Sequence, residues 1–481
     1  MKDNDIIFQK KKIMVLGLGV TGIPVMKKLA GLGNDITGLD NNTSMDREKI
    51  LSDIGMPERG KVRILLEKAD DIKNGILEGI DLLITSPGIP STNKIIASAI
   101  ETGIPVWDEL ELVSRLVNGR QKKRIIAVTG TNGKTTVVNL IGCILDNCGI
   151  DNMVCGNVGS PLLDTIDIDL NNRCAADDEI IRVVEVSSFQ LERTRTFKPG
   201  VGVLLNITSD HMDRHGDIKE YSRLKMKLFS CQDSGDFAII NADDRIAFSM
   251  TPEIEKRKKG PRLVKYGLDQ ENDPGVWYES GNINYKIGGL EGKIDISGNL
   301  FKGMHNMSNA AASAAAALIM GADPKGIGTA IKNFKPLSHR MEYLGEVSGI
   351  RCINDSKSTN PDSVIAALRG FSKEVTIIMG GLDKDVDFTP VIPSLISSVK
   401  NIILIGRSAS RMKELFSSVD ENINIHICRT LEKAVCRGFE VTMKGDVLLL
   451  SPGCASMDMF KDYKDRGNKF KRAVMDHKHG S

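Results

Sequence analysis

The stretch Gly130–Thr136, GTNGKTT, stands between an apolar run, Ile125–Thr129 (IIAVT), and a helix-like stretch, VVNLIGCILD, that starts at Val137. Glycines let the backbone curl so that several N–H groups point at one phosphate group. The N-terminus of the following helix adds partial positive charge at the same place. A lysine and a hydroxyl in such a loop, here Lys134 and Thr135, reach the outer phosphates and Mg²⁺. The stretch therefore predicts a nucleotide-phosphate loop between a buried strand and a helix.

The spacing of this loop departs from the commonest phosphate-loop pattern, GxxxxGK[ST], because Val128 stands where the first glycine would be. An ordinary glycine turn is the alternative interpretation. Strand, glycines, Lys-Thr pair and helix nevertheless occur together and in order, and this order favours nucleotide binding. The predicted contacts to the nucleotide are Gly130, Thr131, Asn132, Gly133, Lys134, Thr135 and Thr136.

Composition restricts the class of protein. The 481 residues are 41% hydrophobic and 26% charged, an ordinary globular composition with length for about three domains. The net charge of +2 argues against nucleic acid or an anionic membrane as the main partner. The nine cysteines are scattered without a CxxC pair, which favours free thiols in a reducing cytoplasm. The apolar run Ile13–Met26 contains three glycines and is interpreted as a strand and a turn rather than a signal peptide.

A second glycine motif, Gly17–Gly22 (GLGVTG), follows the first apolar strand, and Asp40 ends the next one. This is the dinucleotide fingerprint, and alone it would predict an NAD-dependent dehydrogenase. The same geometry can hold any pyrophosphate, because it offers only N–H groups and a helix dipole. With a nucleotide loop in the next domain, a nucleotide-linked substrate becomes plausible. Tight packing of strand on helix, without a ligand, is the alternative.

Short apolar strands alternate with helical stretches along the chain, which predicts an α/β fold with parallel sheets. The predicted domains are residues 1–120, 121–336 and 337–481, with a polar linker at Asn118–Arg124 and a boundary at Lys335–Leu337. Within the central domain, Arg262–Ile296 is predicted as a small antiparallel insertion. Helices are predicted at Ile23–Leu32, Ala310–Met320, Pro361–Leu368 and Leu431–Met443.

Polar residues at strand ends are candidate site residues, because the carboxyl ends of parallel strands face the ligand crevice. Glu185 ends the strand IIRVVE and would suit Mg²⁺, although a solvated acid is the alternative. The fragment Asp210–His215 (DHMDRH) follows another strand; groups near a magnesium nucleotide are favoured over a zinc site, and His215 can also be structural. Lys225, in the helical stretch YSRLKMKLF, is interpreted from composition as a surface lysine.

The last third of the chain has three comparable segments. His339-Arg340 offers a guanidinium fork for phosphate oxygens. The run Asn354–Asn360 (NDSKSTN) follows a strand and mixes both charges, which is typical of a site but also of a capped helix start. The segment Gly380–Phe388 (GGLDKDVDF) follows another strand, and its Lys384 could receive a carboxylate.

These segments, in this order, resemble the Mur ligases of peptidoglycan synthesis over nearly the whole chain. GTNGKTT and NDSKSTN are shared across the superfamily, including folylpolyglutamate synthetase. The set EVSSFQLE, TSDHMDRH, LSHRME, GGLDKDVDF and SPGCASMDMFKDYKDRGNKF resembles the members that add D-glutamate. The DNPR-like segment expected of members that add diaminopimelate or lysine is absent from the sequence.

The resemblance implies a monomeric ligase that joins D-glutamate to UDP-N-acetylmuramoyl-L-alanine through an acyl phosphate, with ATP and Mg²⁺. It implies a Rossmann-like N-terminal domain that binds the UDP-sugar, a central P-loop ATPase-type domain and a Rossmann-like C-terminal domain. It also implies that Lys134 contacts the phosphates and that Thr135, Glu185 and His211 bind Mg²⁺. Lys225 matches a lysine that family members carbamylate, which would add an oxygen ligand for a second Mg²⁺. His211 is also a guess for the base that deprotonates the amine.

Further site residues are implied by the resemblance alone. The UDP-sugar contacts are Val20, Thr21, Ser86 and Gly88, with Asn157 near the substrate carboxylate. The nucleotide contacts outside the loop are Asn306, Asn309, Arg340 and Asp355, with Lys357 acting on the acyl phosphate. The amino-acid pocket is Thr359, Lys384, Ser456, Met457 and Tyr463. Asn41 and Asn42 stand where some members have a Thr-Arg pair, which leaves the uracil contacts open.

Three rival functions stay open at this point. A dehydrogenase would explain GLGVTG but gives GTNGKTT no role. A P-loop switch or binding protein would use GTNGKTT without turnover that depends on an amino acid. A related Mur ligase or a folylpolyglutamate-type ligase would add a different amino acid.

Overall fold

The computed structural model describes residues 10–55, 60–67, 75–157, 159–166, 179–208, 212–268, 275–299, 303–335, 338–368, 371–382, 387–417 and 423–480. Its internal contacts divide the chain into two compact units. The first contains the described residues up to Ile207 and nearly all of those between Met212 and Lys332. The second contains the described residues from Asn333 onward and two short segments before it.

The first sheet is parallel throughout and has the strand order β3-β2-β1-β4-β5. Because β1 pairs with β2 on one side and β4 on the other, the strand order reverses there, which opens a crevice at the strands' carboxyl ends. The elements are β1 Lys12–Leu16, α1 Gly22–Gly31, β2 Asp35–Asp40, α2 Arg47–Ile54, β3 Val62–Leu66, β4 Leu82–Thr85, α3 Lys94–Glu101, β5 Val106–Trp107 and α4 Glu109–Leu116.

The stretch predicted as a linker, Asn118–Arg124, contains a short helix, α5, at Gly119–Lys123. Asn118 and Gln121 form a reciprocal capping box, which satisfies the first backbone N–H groups of the helix. Gln121 is buried. The helix crosses the predicted boundary after residue 120, and the position of both domain boundaries stays a prediction.

The second sheet has nine strands in the order β14-β13-β12-β11-β10-β9-β6-β8-β7. Strands β6 and β8 are buried along their whole length, as expected of apolar strands covered on both faces. The elements are β6 Ile125–Thr129, α6 Lys134–Asn147, β7 Asn152–Gly156, β8 Ile181–Glu185, α7 Ser188–Arg193, β9 Val201–Leu204, α8 Met212–His215, α9 Ile218–Met226, β10 Phe237–Asn241, α10 Arg245–Ser249, α11 Thr251–Glu255, β11 Arg262–Gly267, β12 Gly275–Glu279, β13 Asn282–Ile287, β14 Leu290–Asp295, α12 Met304–Ile319 and α13 Pro324–Asn333.

The antiparallel strands predicted at Arg262–Ile296 are confirmed only for β12–β14, which pair antiparallel with one another. Strand β11 is instead parallel to β10, and β12 is parallel to β11. The stretch is therefore an extension of the central sheet's edge rather than a separate insertion. A hairpin whose strands hydrogen-bond to an open sheet edge covers backbone groups that would otherwise stay unpaired.

The third sheet has the order β15-β16-β20-β17-β18-β19, with only β15 antiparallel to its neighbour. The predicted helices at Ile23–Leu32, Pro361–Leu368 and Leu431–Met443 are confirmed with shifts of two residues or fewer, and α12 begins earlier than predicted. The elements are β15 Glu342–Val347, β16 Ile350–Asn354, α14 Pro361–Leu368, β17 Val375–Gly380, α15 Ile392–Ser398, β18 Val399–Ile405, α16 Ala409–Ser417, β19 Asn424–Ile427, α17 Leu431–Val441, β20 Val447–Leu450 and α18 Tyr463–Gly480.

The α/β class, the three sheets and the antiparallel edge strands agree with the predicted fold. Within the described ranges, no helix combines the length and the apolar character needed to cross a membrane.

Candidate functional site

The glycine-rich loop adopts the conformation expected of a phosphate loop. Gly133 has a φ of 86°, and a Cβ added there would lie 2.7 Å from Oδ1 of Asn309, so the loop needs glycine at this position. Lys134 begins α6, which places the loop at the N-terminus of a 14-residue helix. Its Nζ donates hydrogen bonds to the carbonyl oxygens of Gly130 and Thr131, each at 2.7 Å. The loop therefore combines backbone N–H groups, a helix N-terminus and an ammonium group.

Asn206, which the sequence analysis does not single out, holds the loop in place. Its Oδ1 accepts the backbone N–H of Asn132 at 2.8 Å, and its Nδ2 donates to the carbonyl of Asn132 at 3.0 Å. Asn206 follows β9, the neighbour of β6 in the sheet. The rule that polar residues at strand ends mark a site would have found it.

Glu185 joins two other predicted site residues. The hydroxyl of Thr135 donates to Oε2 of Glu185 at 2.7 Å, and Nδ2 of Asn157 donates to Oε1 at 2.9 Å. Glu185 is 2% exposed, so the alternative of a solvated strand-end acid is wrong. The three residues meet because β6, β7 and β8 are adjacent parallel strands that end at the same edge. A buried carboxylate beside a hydroxyl is a suitable set of oxygen donors for Mg²⁺.

The prediction from composition that Lys225 is a surface lysine is wrong, because this residue is 1% exposed. Its Nζ donates to the carbonyl of Gly130 at 2.9 Å and lies 4.4 Å from the ring centre of Tyr221. Gly130 therefore accepts from Lys134 and Lys225 at one carbonyl oxygen, which brings two ammonium groups close together beside the loop. Lys225 is buried and Lys134 is half-buried.

A cavity of about 990 Å³ lies in the first unit, at the crevice between β1 and β4. Gly17 has a φ of 90°, its carbonyl accepts the hydroxyl of Ser86 at 3.0 Å, and a Cβ on Gly22 would lie 1.9 Å from the same carbonyl oxygen. These contacts hold the two loops together. The lining includes all five residues predicted to contact the UDP-sugar: Val20, Thr21, Ser86, Gly88 and Asn157.

The same cavity is lined by Asp40 and Asn41 on one side and by the central domain's Phe189 and Gln190 on the other. Asp40 accepts the backbone N–H groups of Leu18 at 2.7 Å and Asn42 at 2.9 Å. Its carboxylate thus fixes the glycine loop. The cavity reaches Asn157, whose side chain is bonded to Glu185, so the cavity and the phosphate loop form one continuous site.

Asp108 lies at the N-cap of α4, next to Glu109 of the cavity lining. Its Oδ1 accepts the backbone N–H of Glu111 at 2.9 Å, whereas its buried Oδ2 has no hydrogen-bond partner among the described residues. Burial raises the pKa of Asp108 to about 8, although the bond from Glu111 opposes this. Burial likewise raises the pKa of Glu109 to about 7.

We expect Asp108 to make stability fall as pH rises. An aspartate in the unfolded chain loses its proton near pH 4, whereas folded Asp108 keeps it up to about pH 8. Unfolding therefore releases a proton in this window, and the folded state loses about 1.4 kcal/mol for each pH unit. Asp108→Asn keeps the cap but cannot ionise. The thermal midpoint of Asp108→Asn minus that of the wild type should therefore increase as the pH is raised from 5 to 8.

The control for this measurement is Asp46→Asn, because Asp46 caps α2 by accepting the N–H of Lys49 but is exposed. It should follow the wild type at every pH. Thermal midpoints of Asp108→Asn and the wild type that run parallel between pH 5 and 8 would contradict the buried proton on Asp108.

In the second unit, Asp355 accepts several hydrogen bonds and Lys357 contacts Tyr463. Asp355 accepts the hydroxyl of Ser451 at 3.0 Å, the hydroxyl of Ser358 and the backbone N–H of Met341. Burial raises its pKa to about 6, although these bonds and the charge of Arg340 lower it. Nζ of Lys357 lies 4.0 Å from the ring centre of Tyr463. These contacts belong to the run after β16 and to the start of α18.

The other predicted residues of this unit are less closely connected. Ser456 is buried, whereas Met457 is 64% exposed and Thr359 is exposed. The backbone N–H of Leu382 donates to the carbonyl of Ala455 at 2.8 Å, so the segments GGL and ASM are adjacent. Asn306 lies on α12, one turn before Asn309. His211 and Lys384 lie outside the described residues.

Arg466, which the sequence analysis also does not single out, supports this region. Its guanidinium is fully buried and donates to the hydroxyl of Ser356 at 3.0 Å, to the carbonyl of Ser356 at 2.8 Å and to that of Cys454 at 3.0 Å. Burial lowers its pKa to about 10. Nothing in the spacing of the sequence distinguishes it from Arg472, the other arginine of α18.

Three domain families match consecutive parts of the chain. The MurD-like N-terminal domain of Mur ligases matches residues 11–108, the Mur ligase middle domain matches residues 128–317, and the Mur ligase glutamate ligase domain matches residues 339–454. Each match falls on one of the three sheets.

Curated relatives are similar over nearly their full length. The UDP-N-acetylmuramoylalanine–D-glutamate ligase of Pelotomaculum thermopropionicum is 37% identical, over 98% of this chain and 99% of the relative. The enzyme of the same name from Citrifermentans bemidjiense is 37% identical, over 98% of this chain and 98% of the relative.

Solved structures of Mur ligases share the fold. The UDP-N-acetylmuramate–alanine ligase MurC of Thermotoga maritima has a TM-score of 0.56 at 18% identity, covering 97% of this chain and 99% of the other. The MurF ligase of Thermotoga maritima in complex with ADP has a TM-score of 0.57 at 15% identity, covering 99% and 100%. At such identities the likeness concerns the fold alone.

Proposed function

The chain belongs to the Mur ligase family, and we propose that it joins D-glutamate to UDP-N-acetylmuramoyl-L-alanine in peptidoglycan precursor synthesis. It is an ATP-dependent ligase that forms an amide bond. The choice of D-glutamate is supported by the names of the relatives that are 37% identical. The dehydrogenase and binding-protein alternatives account for only one of the two glycine loops.

The observation that carries the proposal is the continuity of the site in the first unit. The cavity holds the residues expected to bind the UDP-sugar, and Asn157 connects it to Glu185. Glu185 in turn accepts the hydroxyl of Thr135 in the phosphate loop. A UDP-linked carboxylate placed in the cavity would thus end beside the nucleotide's outer phosphate.

The reaction follows from this placement. The substrate carboxylate attacks the γ-phosphate of ATP and releases ADP, giving an acyl phosphate. Lys134 and the loop N–H groups neutralise the charge on the phosphate oxygens as it shifts, which is most of what phosphoryl transfer needs. The amine of D-glutamate then attacks the acyl carbon, phosphate leaves, and the amine's extra proton passes to a base.

Mg²⁺ and a carbamylated Lys225 are part of the proposal. The donors of Thr135 and Glu185 are oxygens and suit Mg²⁺, which when bound supplies positive charge to the phosphates. Attack of the neutral Lys225 amine on CO₂ forms an N–C bond and releases a proton. The resulting anion would lie beside the ammonium group of Lys134 and attract it. His211 completes the proposed metal ligands.

The remaining roles are assigned from the resemblance and stay proposals. Asn306 and Asn309 contact the nucleotide, and Arg340, Asp355 and Lys357 act on ATP and the acyl phosphate. The amino acid is bound by Thr359, Lys384, Ser456, Met457 and Tyr463; the contact of Lys357 with Tyr463 supports a connection between the two groups. We further propose a cytoplasmic monomer with domains at residues 1–120, 121–336 and 337–481.

The test is phosphate release from ATP with UDP-N-acetylmuramoyl-L-alanine and a panel of amino acids. We expect release that requires both the UDP-sugar and D-glutamate, at a rate at least about tenfold above that with L-lysine, diaminopimelate or L-glutamate, because a built polar pocket discriminates strongly. Turnover with L-lysine or diaminopimelate but not with D-glutamate would refute the specificity. A change in nicotinamide absorbance without phosphate release would instead support the dehydrogenase.

A further inference from the structure

The loop after β4, Ser86–Ser91, carries two of the residues proposed to bind the UDP-sugar. Gly88, Pro90 and Ser91 are exposed, and the other residues of the loop are half-buried. Internal bonds are limited to turns, such as the N–H of Ile89 donating to the carbonyl of Ser86 at 3.1 Å. Exposed loops with few apolar contacts sample several conformations unless other elements hold them.

Two arginines of the central domain hold this loop. Nη2 of Arg193, at the end of α7, donates to the carbonyl of Ile89 and to the hydroxyl of Ser91, both at 3.0 Å. Arg214, on α8, donates from Nη1 to the carbonyl of Gly88 at 3.1 Å and from Nη2 to that of Ile89 at 3.3 Å. Two guanidinium groups therefore donate hydrogen bonds to the carbonyl oxygens of two consecutive residues of this loop, Gly88 and Ile89.

Glu192 ties the two arginines and the loop into one network. Its Oε2 accepts from Nη2 of Arg214 at 2.8 Å, and its Oε1 accepts the hydroxyl of Ser91. The guanidinium of Arg214 also lies 4.4 Å from the ring centre of Phe189, which lines the cavity. Arg193 is 8% exposed. The bonds from the two arginines to Ile89 and Ser91 are partly buried, and charge-assisted bonds of this kind are stronger than neutral ones.

Arg214 belongs to the segment DHMDRH and follows the proposed metal ligand His211 by three residues. Nη1 of Arg193 and Nε of Arg214 are buried without a hydrogen-bond partner among the described residues. The bonds to the loop therefore fix the orientation of both guanidinium groups, although this orientation leaves one nitrogen of each group without a hydrogen bond to the described residues.

We propose that Arg193 and Arg214 are positioning residues that hold the Ser86–Ser91 loop in the conformation that binds the UDP-linked substrate. The inference rests on the proposed function, because it takes the cavity as the site of the UDP-sugar. Neither arginine touches the reacting atoms. Their effect is on the affinity for the UDP-sugar, since a loop held in its binding conformation loses less entropy when the substrate binds.

The experiment is calorimetric titration of UDP-N-acetylmuramoyl-L-alanine, and separately of ATP, into the full-length variants. Arg193→Ala should weaken binding of the UDP-sugar about tenfold and change the Kd of ATP less than about twofold, because the lost bonds fix only the loop. Arg193→Lys, which can replace one of the bonds, should fall between Arg193→Ala and the wild type. In steady state, KM for the UDP-sugar should rise about tenfold while kcat stays within about twofold.

The matched control is Arg257→Ala, because Arg257 also donates to two backbone carbonyls, those of Phe229 and Gln232, but does not line the cavity. It should leave both affinities unchanged. If Arg193→Ala folds poorly, Ser91→Ala tests the same network, because it removes the exposed hydroxyl that accepts a hydrogen bond from Arg193. It should weaken UDP-sugar binding severalfold, and its effect should not add to that of Arg193→Ala.

The outcomes separate the inference from the proposed function. A wild-type protein that does not bind UDP-N-acetylmuramoyl-L-alanine refutes the function itself. Wild-type binding together with unchanged UDP-sugar affinity in Arg193→Ala or Ser91→Ala refutes the positioning role alone. Equal weakening of UDP-sugar and ATP in Arg193→Ala would also refute it, because general destabilisation does not discriminate between ligands.

Discussion

Replacing Lys225 by alanine is expected to lower kcat by about a hundred- to a thousandfold, the loss typical when one group that stabilises transition-state charge is removed. The structure places this side chain in a buried position, 2.9 Å from the carbonyl of Gly130 and beside Lys134. If Lys225 carries a carbamate, alanine removes an anion and an oxygen donor. Acetate, which can enter the space and supply a carboxylate, should then restore part of the activity.

Two further measurements make this prediction specific. Protein equilibrated with ¹³C-labelled bicarbonate should show a carbamate carbon signal that is missing in Lys225→Ala. Lys219→Ala serves as the control, because Lys219 lies on the same helix α9 but is exposed, and it should show wild-type kcat. An unimpaired Lys225→Ala would contradict any role for the side chain. Loss of activity without rescue and without the carbon signal would assign the effect to the hydrogen bond with Gly130 instead.

Replacing Glu185 by glutamine should also lower kcat by about a hundredfold or more, because a neutral amide is a much weaker ligand for a hard cation than a carboxylate. Glutamine has nearly the same size, so the fold should be preserved. It can accept only one of the two bonds that Glu185 accepts from Thr135 and Asn157. The other partner, whether Thr135 or Asn157, would then lie next to the amide nitrogen of the glutamine, which is itself a donor.

The measurement is kcat as a function of Mg²⁺ concentration, with the thermal midpoint as a check on folding. Glu185→Gln should need more Mg²⁺ for half-maximal activity and should stay below wild-type kcat at saturation. Glu279→Gln, at the exposed end of β12 in the same sheet, should match the wild type in both quantities. An unchanged Mg²⁺ requirement in Glu185→Gln would contradict the assignment of Glu185 as a metal ligand.

Much of the site follows from local sequence because many of its side chains stand at strand ends. Gly130–Thr136 follows β6, Asn157 and Glu185 follow or end β7 and β8, and Ser86 follows β4. Parallel strands of one sheet end at the same edge, so their polar termini must converge. The contacts of Glu185 with Thr135 and Asn157 are the direct result.

The prediction failed where burial or pairing depends on residues distant in sequence. Composition predicts that Lys225 is a surface lysine, but it is buried and donates a hydrogen bond to the carbonyl of Gly130. Strand β11 has the composition of the antiparallel strands after it, yet it pairs parallel with β10. Propensity does not encode the direction of a partner strand, because antiparallel and parallel strands draw on similar residues.

By itself, the sequence determined the α/β class, the phosphate loop, the dinucleotide-type loop and the resemblance to Mur ligases, since these depend on spacing within short segments. Only the tertiary structure decided that Lys225 is buried against Gly130, that Asn206 fixes the phosphate loop, and that Arg193 and Arg214 hold the Ser86–Ser91 loop. A lysine or arginine in a helical stretch has the same local pattern whether it faces water or a backbone carbonyl. What separates the two cases is the packing of another element against that face, and this packing is a property of the folded chain.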